Sequence, residues 1–443
     1  MLRKLSLLIA VSIAAVCAQL ALAQTGGTTL ATATGFRFTE NDLSADGRKL
    51  YDQESKLIAE NRRGVFNEWV FQQLLETEAK ARGLTAEKVE AEALAKAEKP
   101  TEVQIKAVYD KNRQNIGSRT LEDVRPNIIE FLQQEAGGKQ RNGLFESLKT
   151  KYKFTSIKDA GLPLKAADVL GSIGARQITV GEFEMANRIA LYNFRANVYE
   201  QIRADLENAI FAKLLDAEAK KRNTDASGLI AAEVTNKLKN YSNYEQMSLE
   251  DALQDKLFRA FAVNFNAYDI EPQVLNISAD DDPSIGPETA RVKVVAFVDF
   301  QCSACAAFSP LMKQVIAEFG SGVRLVVRDF PLTQIHEHGM DAALAAYAAR
   351  QQGKFFEMTD LMYRNQESLD AASLANFAKE LGLDVERFQR DAHSPAAMAE
   401  VNKDVADGSS YGVNGTPAIF VNGVRLQRLT TGRLRAAIQK ALT

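Results

Sequence analysis

The chain has 443 residues, of which 46% are apolar and 25% charged, with 54 Lys and Arg against 57 Asp and Glu. These are the proportions of a globular protein with room for two or three domains, and they exclude wholesale disorder, collagen-like repetition and a polytopic membrane protein. The net charge of −3 gives no electrostatic case for binding nucleic acid, so no nucleic-acid partner is expected.

The N-terminus, residues 1–23, has the pattern of a secretory signal peptide. Arg3 and Lys4 precede an apolar stretch from Leu5 to Leu22, and Ala21-Leu22-Ala23 supplies the small residues of a cleavage site. A retained membrane anchor is the alternative, although the apolar stretch is short for a membrane span. Cleavage would export the mature chain, so we predict a periplasmic protein.

Cleavage would also remove Cys17, which does not belong to a lipoprotein signal because Val16 stands where a small residue is needed. The mature chain then keeps only Cys302 and Cys305, in an oxidising compartment. Two cysteines cannot form the disulfide framework of a small secreted scaffold, so their role has to be sought in their spacing.

Residues 24–37 are rich in Gly, Thr and Ala and are predicted to be a flexible lead-in. The chain from there to about residue 270 has helical periodicity and contains an internal repeat. Seven residues recur at an offset of 140: Phe71, Leu74, Leu75, Glu78, Ala79, Lys80 and Arg82 correspond to Phe211, Leu214, Leu215, Glu218, Ala219, Lys220 and Arg222. We predict a duplicated helical region, with one repeat at 38–157 and the other at 170–270.

Each repeat also carries a predicted helix start, Thr120-Leu121-Glu122-Asp123 in the first and Ser248-Leu249-Glu250-Asp251 in the second. The segment from Leu74 to Leu84, with its flanks, resembles the helical N-terminal region of SurA-like periplasmic chaperones. The resemblance implies a chaperone-like module that holds clients. A structural spacer and a dimerisation arm are the alternatives.

An acidic linker, residues 271–290, contains five Asp and Glu and neither Lys nor Arg. Beyond it the pattern changes to a mixture of strands and helices. The predicted strands are Val292–Phe300, Val323–Val327, Pro417–Val421 and Val424–Leu426, and the predicted helices are a stretch up to Phe319, residues 338–405 and Gly432–Leu442. This is the order of an α/β thioredoxin fold over 291–443 with a helical subdomain inserted at about 338–405.

Cys302-Ser303-Ala304-Cys305 directly follows the first of these strands and opens a helix. At a helix N-terminus, free backbone N–H groups and the helix dipole favour the thiolate of Cys302. Cys305 lies one turn later on the same face, within reach of a disulfide. The pair can therefore alternate between a dithiol and a disulfide, which is the chemistry of thiol–disulfide exchange.

Two other interpretations of the CxxC motif are open. A purely structural disulfide would close so short a loop that it would add little stability. A zinc site would need two more ligands, which could come only from His336, His338 or His393. We predict redox chemistry and no metal.

Gly415-Thr416-Pro417 precedes the third predicted strand. A proline that enters a strand has no N–H group to donate, and a cis peptide bond is one way to use such a residue, whereas an ordinary loop proline is the alternative.

Four motifs together, Asp299-Phe300-Gln301-Cys302, Asp329-Phe330-Pro331-Leu332, Gly353-Lys354-Phe355-Phe356 and Gly415-Thr416-Pro417, make residues 280–443 resemble the DsbA-like thiol–disulfide oxidoreductases. The resemblance implies Cys302 as the nucleophile and Cys305 as the resolving thiol. It also implies that Thr416 and a cis Pro417 flank the sulfurs and dock an extended client segment.

The chain departs from that family at two places. Many relatives carry an acidic residue six positions before the first cysteine, where this chain has Ala296, and Asp299 is expected on the opposite face of the strand. Ser303-Ala304 also lacks the histidine that strongly oxidising relatives place between the cysteines. The pattern therefore lacks the carboxylate that serves relatives as proton acceptor for the second cysteine, and it lacks one source of thiolate stabilisation.

These features predict an exported enzyme that forms or exchanges disulfides in secreted proteins through a redox-active Cys302–Cys305 disulfide, without another cofactor. Its expected partners are exported cysteine-containing proteins and a membrane redox partner that reoxidises or reduces it. A disulfide isomerase or reductase with a helical dimerisation arm and a chaperone-like client-binding protein are the alternatives. Four arginines near the C-terminus are predicted to form a solvated basic patch: Arg425, Arg428, Arg433 and Arg435.

Overall fold

A computed structural model describes residues 27–239, 241–268, 270–279 and 281–443. The predicted signal peptide and Cys17 lie outside these residues. The described chain divides into two compact units, one formed by Glu54–Phe194 and the other by the residues up to Gln53 together with Arg195–Thr443. Within the described ranges, no helix combines the length and the apolar character that a membrane span requires.

The first described residues form a hairpin of strands β1 (Thr29–Ala33) and β2 (Phe36–Thr39), with Gly35 at φ +79° in the turn. The predicted flexible lead-in is therefore wrong for this segment. The Thr and Ala residues that suggested flexibility flank Leu30, which is fully buried, and β-branched Thr favours a pleated, half-buried strand.

The rest of the N-terminal region is mainly helical, as predicted. Its first part contains α1 (Ala45–Arg82), α2 (Ala86–Leu94), α3 (Glu102–Lys111), α4 (Arg113–Ile116), α5 (Leu121–Lys151) and β3 (Phe154–Ser156). Its second part contains β4 (Val169–Ile173), β5 (Arg176–Thr179), α6 (Val180–Ala186), α7 (Arg188–Lys221), α8 (Ala226–Glu233), α9 (Asn243–Ala260) and β6 (Asn264–Phe265). In the unit 54–194, the sheet β3-β4-β5 accompanies an apolar core that includes Phe66, Val70, Leu74 and Phe183. In the other unit, β6 pairs with β1 of the first hairpin.

Both hairpins have the same construction at the same offset of 140 residues. The register shifts between Thr29 and Ala31 in the first hairpin and between Val169 and Gly171 in the second. Thr85 caps α2, and Asp225, at the same offset, caps α8. These correspondences support the predicted duplication, which remains an interpretation, and they extend it backwards to include the hairpins.

Of the two predicted helix starts, one is confirmed and one is wrong. Thr120 caps α5 and forms a reciprocal capping box with Asp123. Ser248, in contrast, lies inside α9, which begins at Asn243. The cap of this helix is Ser242, whose hydroxyl accepts a hydrogen bond from the N–H of Glu245 at 3.1 Å. Ser242 and Glu245 have the same spacing as a capping box, so the same sequence signal occurs one and a half turns earlier.

Residues 281–443 have the thioredoxin fold with an inserted helical subdomain. The elements are β7 (Ser284–Ile285), β8 (Val292–Val298), α10 (Ser303–Ala317), β9 (Val323–Asp329), α11 (Gly339–Arg350), α12 (Phe355–Arg364), α13 (Ala371–Glu380), α14 (Val385–Ala392), α15 (Pro395–Ser410), β10 (Ala418–Val421), β11 (Val424–Arg425) and α16 (Thr431–Leu442). The sheet order is β11-β10-β8-β9-β7, in which β8 and β9 are parallel and the other pairs are antiparallel. The inserted helices extend to Ser410, beyond the predicted end at 405.

The two faces of this sheet contribute to two separate cores. Val294, Ala296 and Val298 of β8 belong to the core that also contains Cys302 and Cys305. The alternate residues Val295 and Phe297 belong to a smaller core on the other face. The alternation of β-strand side chains thus places the CxxC helix, α10, on the face that includes Ala296.

The second half of the predicted acidic linker is part of this domain. Asp281 forms an ion pair with Arg350 at 2.8 Å, and Asp282 forms one with the fully buried Arg328 at 2.9 Å. Ser284–Ile285 then adds a short strand next to β9. A buried arginine needs carboxylates around it, which explains the burial of Asp282, whereas Asp281 is exposed.

Arg433 and Arg435 are likewise not a solvated patch. Arg433 on α16 pairs with Glu207 on α7 at 2.9 Å. Arg435 pairs with Glu318 at 2.8 Å and lies 3.7 Å from Asp251 on α9. These arginines therefore dock the second helical repeat against the thioredoxin-fold domain, within one compact unit.

Candidate functional site

The CxxC motif occupies the start of α10 as predicted. Cys302 is the N-cap residue, with extended backbone angles, and Cys305 lies in the first turn. Both cysteines are free thiols, with Cys302 8% exposed and Cys305 1% exposed. The more accessible sulfur is therefore that of Cys302, on which a client can act.

Hydrogen bonds from outside the motif fix this turn. The N–H of Cys302 donates to the carbonyl of Asp299 at 3.2 Å. The side-chain amide of Gln366 donates to the carbonyls of Phe300 and Cys302 at 3.0 and 2.9 Å. Gln366 follows α12 in the helical insertion, so the insertion helps to hold the redox turn in place.

The thiol of Cys302 has a strongly lowered pKa. Its hydrogen bond with Cys305, followed by the hydroxyl of Thr416 and the backbone N–H groups of Cys305 and Ala304, lowers the pKa from 9.0 to about 5 against the opposing effect of burial. Cys302 is consequently a thiolate at neutral pH even though no histidine stands between the cysteines.

Cys305 is shifted in the opposite direction. Burial, and then the neighbouring sulfur of Cys302, raise the pKa of Cys305 far above the ordinary value of a thiol. One cysteine of the pair is therefore poised as a nucleophile and leaving group, and the other holds its proton until exchange begins.

Thr416 and Pro417 lie beside the first cysteine. The peptide bond between them is cis, as the sequence predicts, and the Cys302 thiol donates to the carbonyl of Thr416 at 3.4 Å. The hydroxyl oxygen of Thr416 is buried and has no hydrogen-bond partner, so it is free to donate when Cys302 is ionised. The structure thus brings Thr416 to Cys302, with Pro417 next in the chain, whereas a docking role for these two residues stays a prediction.

Asp299 is a buried anchor for the loops around the site. Its carboxylate accepts hydrogen bonds from the N–H of Gln301 at 2.8 Å and the N–H of Leu332 at 2.7 Å, and it lies 2.7 Å from Nδ1 of His336. The three neighbours occupy both oxygens, so Asp299 ties the loop before Cys302 to the loop after β9.

The three histidines do not converge on the cysteines. Nδ1 of His336 faces Asp299, Nδ1 of His338 lies 3.6 Å from Asp341, and Nδ1 of His393 lies 2.7 Å from the carbonyl of Gln389. Across the described ranges, no group of three or more His, Cys, Asp or Glu side chains could hold a metal ion.

The sequence did not reveal that several ionisable groups of this domain are buried. Arg328 on β9 is fully buried and pairs with Asp282, Asp404 and Asp407. The next residue, Asp329, is also buried. The motif that begins with Asp329 was one of those that carry the family resemblance, but nothing in its spacing predicted the surroundings of the carboxyl group.

Residues 278–440 match the sequence profile of a family described as thioredoxin. Among curated proteins, the chain is 40% identical over 164 residues to the Na⁺/H⁺ antiporter NhaA of Herminiimonas arsenicoxydans, a match that covers 36% of this chain and 26% of that protein. A second antiporter, NhaA 3 of Salinispora tropica, is 38% identical over 149 residues. This match covers 34% of this chain and 23% of that protein. The chain thus spans about a quarter of the length of these relatives.

Solved structures that resemble the chain include a thioredoxin-like oxidoreductase from Silicibacter pomeroyi DSS-3, which is 30% identical with a TM-score of 0.34. The match covers 37% of this chain and 92% of that protein. Another is oxidised BdbD from Bacillus subtilis, which is 20% identical with a TM-score of 0.35. The match covers 39% of this chain and 99% of that protein.

Proposed function

Because residues 278–440 match the sequence profile of a family described as thioredoxin, we propose that the chain is a thiol–disulfide oxidoreductase that forms or exchanges disulfides in exported proteins. The observation that carries the proposal is the opposite shift of two adjacent thiols, with the pKa of Cys302 lowered to about 5 and that of Cys305 raised. A structural disulfide needs no such difference, whereas stepwise exchange uses one sulfur that attacks and leaves easily, that of Cys302, and one that keeps its proton in the reduced pair, that of Cys305.

In the oxidising direction, the reaction starts from the Cys302–Cys305 disulfide. A client thiolate attacks the sulfur of Cys302, the bond between the two cysteines breaks, and Cys305 leaves as a thiolate that takes up a proton. A second client thiolate then attacks the client sulfur of the mixed disulfide and expels Cys302 as a thiolate. The client loses two electrons and gains a disulfide, while the pair gains the two electrons as a dithiol.

Oxidation is the direction that we favour. A low pKa stabilises the expelled thiolate of Cys302, and stabilising the reduced form makes the corresponding disulfide a stronger oxidant. The reduced pair then has to be reoxidised, which is the part that we assign to a membrane redox partner. An isomerase or reductase instead needs a partner that keeps the dithiol reduced.

We further propose export to the periplasm, on the pattern of residues 1–23. Transport is not proposed on the likeness to antiporters, because the chain covers only 26% of the first of them.

Holding of unfolded clients by the helical repeats is a second candidate function. It is favoured by the exposure of apolar side chains in the unit 54–194, with Val103 80% and Phe131 53% exposed.

Trapping of clients tests the proposed exchange. A Cys305→Ser variant of the full chain cannot resolve its mixed disulfides, so it should accumulate covalent adducts with exported proteins through Cys302. The matched control is Cys302→Ser, which keeps one cysteine but lacks the more accessible one and should give no adducts. Equal adducts from the two variants, or none from either, contradict the proposed function.

The same experiment tests whether the helical repeats hold clients. We expect Phe131→Asp, added to the Cys305→Ser variant, to lower the yield of adducts with unfolded clients while leaving the reaction with a small disulfide unchanged. An unchanged yield contradicts client holding at Phe131.

A further inference from the structure

Asp329, the last residue of β9, is a buried carboxyl group without a partner. It is 8% exposed, and its Oδ1 atom is buried with no hydrogen-bond partner. Its backbone N–H donates to Asp404 at 2.8 Å. Leaving a buried carboxyl group unpaired costs free energy, so its presence beside a reactive site calls for a chemical explanation.

The strand register places Asp329 on the face of the sheet that carries the redox pair. Ala296 is paired with Val327 and Val298 with Asp329 in the parallel ladder. Side chains alternate along both strands, so Asp329 projects to the same face as Ala296, the position at which relatives carry an acidic residue. Asp329 is therefore one strand away from the missing acid and nearer to the carboxyl ends of the strands.

The direction of α10 brings Cys305 to the same end of the sheet. Because β8 and β9 are parallel, α10, which connects them, has to run back along the sheet from the end of β8 to the start of β9. The first turn of α10, with Cys305, therefore lies over the strand ends, and Asp329 is the final residue of β9. The buried ring of Tyr363 is influenced by both groups, because the charges of Cys305 and Asp329 add to burial in raising its pKa.

Five charged or titratable groups interact electrostatically with Asp329. They are Asp404 and Glu400 on α15, Arg350 on α11, Asp299 after β8 and Tyr363 on α12. Burial first, and then the charges of Asp404 and Glu400, raise the pKa of Asp329 well above its ordinary value, while Arg350 opposes the shift. Asp299 is not an equivalent candidate, since its oxygens already accept hydrogen bonds from Gln301 and Leu332.

We propose that the carboxyl group of Asp329 exchanges a proton with the thiol of Cys305, in place of the acid that relatives carry at the position of Ala296. The inference rests on the proposed function. When Cys305 resolves a mixed disulfide, its S–H proton moves to the Asp329 carboxylate, the thiolate attacks the sulfur of Cys302, and the client leaves as a thiolate. When a client thiolate opens the Cys302–Cys305 disulfide, the protonated Asp329 returns the proton to Cys305 as that sulfur leaves.

The chemistry at this position needs such a group. The raised pKa of Cys305 makes its thiolate scarce at neutral pH, so the resolving step is slow unless a base removes the proton as the sulfur attacks. A carboxyl group whose pKa is raised above its ordinary value is better matched to that task than an ordinary exposed carboxylate.

The test uses an aromatic disulfide, 5,5′-dithiobis(2-nitrobenzoate), with which the reactions of the two thiols appear as two successive kinetic phases. The reduced full chain should release one nitrothiolate as Cys302 attacks and a second as Cys305 resolves the mixed disulfide. A Cys305→Ser variant, which keeps only the first release, assigns the phases. Absence of the first phase in the unsubstituted protein contradicts the proposed function itself, independently of Asp329.

We expect Asp329→Asn to slow the second phase by about tenfold or more at neutral pH, with the first phase unchanged. Asp282→Asn is the matched control, because it removes a buried carboxylate that pairs with Arg328 and leaves both phases unchanged. A second phase within about twofold of the unsubstituted rate, or an equal loss in Asp282→Asn, overturns the proposal.

The unsubstituted protein provides a test that does not depend on the folding of a variant. The rate of its second phase should rise with pH through an inflection that lies above the ordinary carboxyl pKa of about 4. A rate that rises with pH without any inflection between about pH 4 and about pH 9 overturns the role of Asp329.

Discussion

The thiolate of Cys302 is stabilised by neutral hydrogen-bond donors. The groups that lower its pKa are the thiol of Cys305, the hydroxyl of Thr416 and the backbone N–H groups of Ala304 and Cys305. The absence of a histidine between the cysteines removes one source of stabilisation that strongly oxidising relatives have. The thiol of Cys305 makes the largest contribution here, and the backbone N–H groups of Cys305 and Ala304 at the start of α10 add to it.

The pH dependence of alkylation checks this account at the level of one residue. Iodoacetamide reacts with the thiolate, so the rate at Cys302 should reach half its maximum at about pH 5 and rise no further above neutrality. Thr416→Val removes one donor and should move the midpoint to higher pH. Cys305→Ala removes the largest contribution and should move it further.

Thr359→Val is the control, because it removes a buried hydroxyl that donates to Phe356, in α12. It should leave the midpoint where it is. A midpoint near the ordinary thiol pKa of 9.0 in the unsubstituted protein contradicts the stabilisation of Cys302.

At the residue scale, the sequence predicted the features that depend on neighbouring residues in the chain. It did not predict ion pairs between residues that are distant in sequence. Cys302 and Cys305 follow from their spacing and from the strand before them, and the cis bond before Pro417 was implied by the family resemblance. The burial of Asp282 beside Arg328 could not be predicted, because it depends on how the chain before β8 packs on a strand that comes later.

At the level of whole elements, α16 joins two parts of one compact unit. Leu434 and Ile438 belong to the core of the thioredoxin-fold domain. The polar side of the same helix carries Arg433 and Arg435, which pair with α7, with α9 and with Glu318 at the end of α10. The sequence predicted this helix as Gly432–Leu442. The acidic partners of its arginines lie far away in sequence, which is why the arginines looked solvated.

Removal of Arg433 should therefore destabilise the protein more than removal of an exposed cation on the same helix. Arg433→Ala leaves Glu207, which is 8% exposed, with only Arg203 as a partner at 3.0 Å. We expect the free energy of unfolding to fall by about 1–2 kcal/mol, as is typical for the loss of a charged hydrogen bond at a half-buried site. Urea denaturation of the full chain measures the change.

Lys440→Ala is the matched control on α16, since Lys440 is exposed, and it should change the free energy of unfolding by less than about 0.5 kcal/mol. A double-mutant cycle with Glu207→Ala should show coupling between Arg433 and Glu207. Equal effects of Arg433→Ala and Lys440→Ala, or no coupling, contradict docking through this pair.

For the whole molecule, the charge state of Cys302 links the redox reaction to stability. The folded pKa of about 5 is lower than the unfolded value of 9.0, so the reduced state gains stability that is complete above pH 9.0 and is lost as the pH falls toward 5. The disulfide form has no such group. The reduced protein should therefore become more stable relative to the oxidised protein as the pH rises across this window.

The reduction potential of the full chain expresses the same linkage and decides the direction of the reaction. Above about pH 5, reduction takes up one proton per two electrons, because Cys302 stays ionised while Cys305 binds a proton. The potential should thus fall by about 30 mV per pH unit above that point and by about 59 mV per unit below it. At neutral pH it should be more oxidising than the thioredoxin value of about −270 mV. Equilibration with glutathione or dithiothreitol measures both quantities. A uniform slope of about 59 mV per unit contradicts the ionised Cys302, and a potential at or below about −270 mV favours a reductase over an oxidase.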